Sequence, residues 1–244
     1  MKYVDPDKRE SRILNLAIEG YIKESRPISS SYLCEKFNLP YSTATVRNIL
    51  GALEKRGLLS HIHTSSGRVP TQEGFRHYVD YLIGEEIITP DEFIDAEVDV
   101  SDGVEELLNN TVDVLAVLSG YTSLLAISGL EERFLFRGAR FIFEQPEFED
   151  VAKLKSFFYA LEVKINIFQD LLFNCLDEGV KVLIGKDIGC EEISGCSLVV
   201  SGFQKKKLCA GLALLGPMRM NYVKAISTID MMSHKLQESI EDIF

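Results

Sequence analysis

Pro27 and Pro40 limit what the first sixty residues can form, because no regular helix runs through either position. A proline removes an amide donor and presses its ring on the preceding turn. Upstream, residues 7–24 carry Ile13, Leu14, Leu16, Ala17, Tyr21 and Ile22 at a helical rather than a strand spacing. Ser29, Ser30 and Ser31 then offer caps for a short helix through Phe37, with Leu33 and Phe37 one turn apart. Asn38-Leu39-Pro40 ends that helix, and Ser42 can cap the next. The expected order is helix, helix, tight turn, helix.

The third segment, STATVRNILGALEKRG, carries the most information. Val46, Ile49, Leu50 and Leu53 fall on one stripe suited to packing inward. The opposite side presents Ala44, Arg47, Asn48, Gly51 and Lys55, with Thr45 at its edge. Gly51 in mid-helix costs about 1 kcal/mol against Ala. This face is small, hydroxylic and cationic, with no acid before Glu54. Such a face suits a major groove, whose floor offers acceptors to Arg and a matching edge to Asn. Any exposed helix face is polar, however, so the residues that follow decide the reading.

After Gly57 the run LLSHIH alternates like a short strand. Ser65-Ser66-Gly67 is turn chemistry, and Arg68-Val69-Pro70 can return as the paired edge. Thr71 then caps a helix with Phe75, Tyr78, Val79 and Leu82 inside. Three helices followed by a two-stranded ribbon is the order of a winged helix-turn-helix. In that arrangement Arg47 and Asn48 enter the groove, with Lys55 on the same outward face. Ser42, Thr43 and Thr45 serve helix entry and phosphate, while Thr64, Ser65, Ser66 and Arg68 of the ribbon grip phosphates alongside. His61 and His63 read as solvent-edge side chains of the strand rather than as metal ligands.

The run PISSSYLCEKFNLPYSTATVRNILGALEKRGLLSHIHTSSGRVPTQEGFRHYVDYL resembles the DNA-binding domain of the heat-inducible transcription repressors, the HrcA family. Ser42–Asn48 and His63–Thr71 carry the most specific stretches. Leu214–Tyr222, Gln145–Phe148 and Val180–Gly185 match further family features in the expected order. The resemblance implies a repressor of chaperone genes that binds an inverted-repeat DNA operator as a homodimer. It also implies modulation by temperature and by a chaperonin partner. Its fold would be a winged helix followed by a GAF-like α/β domain, an α+β chain overall. The family usually carries an inserted dimerising module. Here YTSLLAIS runs almost directly into GLEERFLFRGARFIFEQPEF, so most of that insertion is expected to be missing.

Charge divides the chain in the same place. Residues 1–83 hold 12 Lys/Arg and 9 Asp/Glu, whereas the remainder hold 14 and 28, a net +3 against −14. A mildly basic head on an acidic body puts any polyanion at the head. We expect a DNA-binding domain over 1–83, an acidic connector over 84–103 and a regulatory and dimerising domain over 104–244. In the body, helices are expected over Val104–Leu118, from Phe148 through Leu161, over Ile165–Leu176 and at the C-terminal end. Strands are expected at 121–128, in the alternation RFLFRGARFIF, and near 180–184, 197–201 and 208–214.

No catalytic signature stands out, so no enzyme activity and no cofactor are expected. GVKVLIGKD spaces its glycines one residue too widely for a phosphate loop and has Asp187 where Ser or Thr is needed. The 5 cysteines include no C-x-x-C pair and read as reduced thiols, with no metal site. No apolar run reaches membrane-spanning length, and a cytoplasmic location is expected. An alternative reading is a winged-helix regulator controlled by a small ligand in the GAF-like domain. Gly216-Pro217-Met218-Arg219 could line such a site, but reads first as a strand-to-helix turn anchored by Arg219.

Overall fold

The computed structural model describes residues 6–61, 67–84, 103–129, 132–176 and 178–243. The ribbon residues His63, Thr64, Ser65 and Ser66 lie outside these, as does the expected connector apart from Gly84 and Gly103. The chain parts into two compact units, 1–85 and 86–244.

In the first unit, helix α1 (Pro6–Glu24) ends before Pro27, with Ser25 in the left-handed region at φ 53°. Helix α2 (Ser30–Lys36) starts where the Ser29 hydroxyl accepts the Tyr32 amide at 3.1 Å. Asn38, at φ 45°, turns the chain toward Pro40. Helix α3 (Thr43–Lys55) follows. Ile13, Leu14, Ile18, Leu33, Val46 and Leu53 are each at most 1% exposed and form the centre of this unit. Ile18 takes the inward place on α1, and Leu16 is only half-buried.

Strands β1 (Leu59–Ser60) and β2 (Val69–Pro70) pair antiparallel, Leu59 opposite Pro70 and Ser60 opposite Val69. The returning strand has a second partner that the sequence did not announce. Ile28 and Arg68 exchange both backbone hydrogen bonds, each at 2.8 Å. Gly67 permits this approach, since a Cβ there would sit 2.6 Å from the Ile28 carbonyl carbon. Thr71 then donates to the Gly57 carbonyl at 2.6 Å and accepts the Gly74 amide at 3.1 Å, opening helix α4 (Gln72–Gly84). Phe75, Tyr78, Val79 and Leu82 are buried along it, as their spacing predicts.

The second unit is built on one antiparallel sheet. Helix α5 (Val104–Ser119) precedes strands β3 (Thr122–Ser128) and β4 (Arg133–Arg137). Helices α6 (Val151–Val163) and α7 (Ile165–Phe173) come next. They lead to β5 (Lys181–Ile184), β6 (Cys196–Lys205), β7 (Leu208–Pro217) and the long helix α8 (Tyr222–Ile243). The strand order is β4-β3-β7-β6-β5. One face of the sheet, through Leu124, Ala126, Leu198, Val200, Ala213 and Leu215, packs on Phe157, Leu161, Phe168 and Leu172 of α6 and α7. Because side chains alternate across a strand, Leu125, Val199, Leu212 and Leu214 face the other way, where α5 and α8 pack on the sheet. Helices over an antiparallel sheet make the chain α+β.

Two local expectations need correction. The alternation RFLFRGARFIF is a strand only to Arg137. Gly138 enters the left-handed region at φ 72°, and Ala139–Glu144 wind into a 3-10 helix. Alternation alone cannot register such a turn. Phe148 does not open α6 but closes a separate 3-10 turn, Pro146–Phe148. Asp150 then caps α6 by accepting the Ala152 amide at 2.8 Å. The helix buries Phe157, Ala160 and Leu161, and leaves Val151 61% exposed.

Candidate nucleic-acid interface

The inward stripe of α3 fixes what its other face presents. Val46, Ile49, Leu50 and Leu53 are all buried, at 0–5% exposure. A helix turns about 100° per residue, so Thr43, Ala44, Arg47, Asn48 and Lys55 are left exposed. Gly51 has nothing within 4 Å of the place a Cβ would occupy. The outward face is therefore open at its middle, with the Arg47 and Asn48 side chains together on the N-terminal side of that opening.

Ser42 and Thr45 are already engaged with the helix itself. The Ser42 hydroxyl accepts the Thr45 amide at 3.1 Å and meets the Thr45 hydroxyl at 2.9 Å. One of the orphan donors of the first turn is satisfied in this way. Thr43 carries no such bond among the described residues, which leaves its exposed hydroxyl at the positive end of the helix.

Arg68 is placed firmly by its backbone and held by its side chain. Its Nε lies 2.7 Å from Glu54 Oε2, and the side chain is 25% exposed. The other Glu54 oxygen meets His61 Nδ1. Partial desolvation pushes the Glu54 carboxyl up, but His61 and Arg68 outweigh that and leave it below its ordinary value of 4.5. Glu54 thus ties the last turn of α3 to both strands of the ribbon. This residue escaped the sequence reading, although a single acid closing an otherwise acid-free helix face was its available signal.

In the second unit, Arg219 anchors the turn after β7. Its guanidinium contacts the Glu147 carboxylate and donates to Gln145 Oε1 at 3.1 Å. Tyr121 adds a further tie, its hydroxyl accepting the Asn221 amide at 2.8 Å. The cysteines are free thiols. Burial pushes the Cys175, Cys190 and Cys196 thiols up, as befits packed rather than reactive sulfur. No helix among the described residues is long and apolar enough to cross a membrane.

Comparison with known proteins points one way. A family profile described as the HrcA protein C terminal domain matches residues 124–226. The chain is similar to a heat-inducible transcription repressor HrcA of Carboxydothermus hydrogenoformans, 25% identical over 336 aligned positions that cover 96% of this chain and 98% of the relative. That span exceeds the 244 residues of this chain, so the relative carries residues within it that are lacking here. Another such repressor, from a Cyanothece species, is 38% identical over 130 residues, half of this chain and 34% of the relative. A solved structure described only as a hypothetical protein superposes with a TM-score of 0.83 at 17% identity, covering 99% of this chain and 100% of that one. At that identity the likeness is one of fold.

Proposed function

We propose that the chain is a heat-inducible transcription repressor of the HrcA family, which it resembles along most of its length, and that it represses by seating the outward face of α3 in the major groove of an inverted-repeat operator. It is a regulator rather than an enzyme, as its family is. The supporting observation is the joint exposure of Arg47 and Asn48 on the side of α3 opposite its buried stripe. A major groove about 12 Å wide accepts one helix. Residues 1–83 act here as a winged helix-turn-helix, 84–103 as a connector and 104–244 as a GAF-like regulatory and dimerising domain.

Arg47 and Asn48 read base edges. Thr43 and Lys55 contact phosphate, while Ser42 and Thr45 set the angle at which the helix enters. Arg68 leaves Glu54 for a phosphate when the ribbon docks, beside Thr64, Ser65 and Ser66. Two-fold symmetry of the operator calls for a homodimer. Exposed apolar side chains on the body, Phe143 at 63% and Val163 at 59%, support self-association in a chain shorter than its relatives. The family resemblance adds a chaperonin partner, temperature dependence and a cytoplasmic setting.

The test is an anisotropy titration against an inverted-repeat duplex and a scrambled control. Arg47→Ala should weaken specific binding by about 1–3 kcal/mol, the worth of one good base contact. Arg68→Ala should weaken binding to both duplexes alike and lessen the salt dependence, since a phosphate contact carries no sequence information. Unchanged operator affinity in Arg47→Ala at every salt concentration would remove Arg47 from the reading face. A second reading, a repressor answering to a small ligand, draws support from a cavity in the body beside the β6–β7 turn.

A further inference from the structure

Lys205, Lys206 and Lys207 stand together at the β6–β7 turn, in a body whose net charge is −14. Lys205 pairs with Leu208 across the hairpin, so Lys206 and Lys207 form a two-residue turn. Such turns normally take Gly, Asn or Asp, because L side chains avoid the left-handed region. Lys206 nonetheless occupies it, at φ 53°. A lysine held where glycine would be relaxed is a strained placement, and strain of this kind gathers at functional positions.

The turn overhangs a cavity of about 560 Å³, within the range of small-molecule sites. Leu208 and Ile240 line it, exposed by 8% and 4%, together with the lysine stems. Gly129 closes one side at φ 105°, where a Cβ would collide with the Lys207 carbonyl. Glu241, on the last turns of α8, accepts from Lys205 Nζ at 2.6 Å and from Gln237 at 3.2 Å. Both bonds fall on one carboxylate oxygen, Oε1, and Lys205 and Lys206 together hold the Glu241 carboxyl below its ordinary value. Among the described residues no carboxylate lies at ion-pair distance from Lys206 or Lys207. Among the described residues the cavity thus has apolar walls and, at its rim, three ammonium groups against the one carboxylate of Glu241.

We infer that this cavity binds an amphipathic organic anion, a medium-chain acyl carboxylate, with its chain against Leu208 and Ile240 and its head at Lys206 and Lys207. The inference rests on the ligand-responsive reading only for its regulatory consequence. The binding itself stands on the cavity and the turn.

Calorimetric titration of the full chain with laurate below its micellar concentration tests it. One laurate per chain is expected, with affinity rising by up to about fourfold per methylene from octanoate to laurate. Dodecanol, which has the same chain and no charge, should bind at least about tenfold more weakly, because a charge-assisted contact is lost. Lys206→Gly should raise the thermal midpoint, glycine being relaxed at that φ, yet weaken laurate binding. Lys207→Gln should weaken it without that gain in stability. Absence of laurate binding, equal binding of dodecanol, or full binding by the Lys206→Gly/Lys207→Gln double variant would each overturn the site. Arg47→Ala should bind laurate normally, so failure of the DNA reading and failure of this site are separable. Laurate that binds but leaves operator affinity unchanged would keep the site and remove the response.

Discussion

Ser42 offers a way to separate the folding of α3 from the DNA contact proposed for it. Its hydroxyl accepts the Thr45 amide at 3.1 Å and is bonded to the Thr45 hydroxyl at 2.9 Å. Ser42→Ala removes the cap and leaves that amide without a protein partner. The loss is about 1 kcal/mol, within the usual span of about 0.5–2 for a cap replaced by Ala. Ser42 is exposed, so no cavity forms and no larger value is expected. Ser42→Asp keeps a capping oxygen and places a negative charge at the positive end of the helix, which favours α3 by about 0.3–1 kcal/mol. The same carboxylate stands where the operator phosphates would approach. The two variants should therefore move in opposite directions for stability, while only the aspartate strongly weakens DNA binding.

Hydrogen exchange of the intact chain, followed on peptides covering 42–55, reads the local stability. Ser42→Ala should exchange about fivefold faster there. Ser42→Asp should match or fall below the wild-type rate, and anisotropy should show it losing operator affinity. Unchanged exchange in Ser42→Ala together with lost DNA binding would refute this reasoning, because Ser42 would then be a phosphate ligand and not a cap.

Three further outcomes follow from the same contacts. Gly67→Ala should destabilise the first unit by about 1–3 kcal/mol, since its methyl group would stand 2.6 Å from the Ile28 carbonyl carbon and part a doubly bonded bridge. Faster exchange of the Ile28 and Arg68 amides would report it. Glu54 has a folded-state pKa lowered from 4.5, so its contribution to stability is present above that value and is lost as pH falls through the lower folded one. Glu54→Gln should flatten the pH dependence of stability in that acid window and leave it unchanged near neutrality, which acid denaturation monitored by far-UV circular dichroism can check. Phe157→Ala should cost the second unit about 3–5 kcal/mol, because the ring is 0% exposed and packs on both Phe148 and Phe158. A smaller loss in thermal or denaturant unfolding would mean that α6 collapses into the space.

Much of the first unit was legible from residue order because its determinants are local. A proline stops a helix wherever the chain later goes. A serine before a helix finds its amide within three residues, as Ser29 and Ser42 do. A stripe such as Val46, Ile49, Leu50 and Leu53 must turn inward, which sends Arg47 and Asn48 outward without any knowledge of the partner helices. The long strands and α8 of the body were visible for the same reason. Its irregular stretch, from Gly138 to Asp150, was not. Alternating apolar residues there serve two successive 3-10 turns, and only packing against α6 distinguishes those from a strand.

The sequence alone settled which residues face out of α3, since helical period and side-chain polarity depend on near neighbours only. Tertiary structure decided how those residues are held. Glu54 reaches His61 and Arg68 across 7 and 14 positions of chain, and Ile28 reaches Arg68 across 40. Contacts of that separation depend on where three helices leave the ribbon, and no pattern along the chain encodes them. The lysine-rimmed cavity is likewise a product of assembly, because Gly129, Leu208 and Ile240 meet only once the sheet has formed and α8 lies across it.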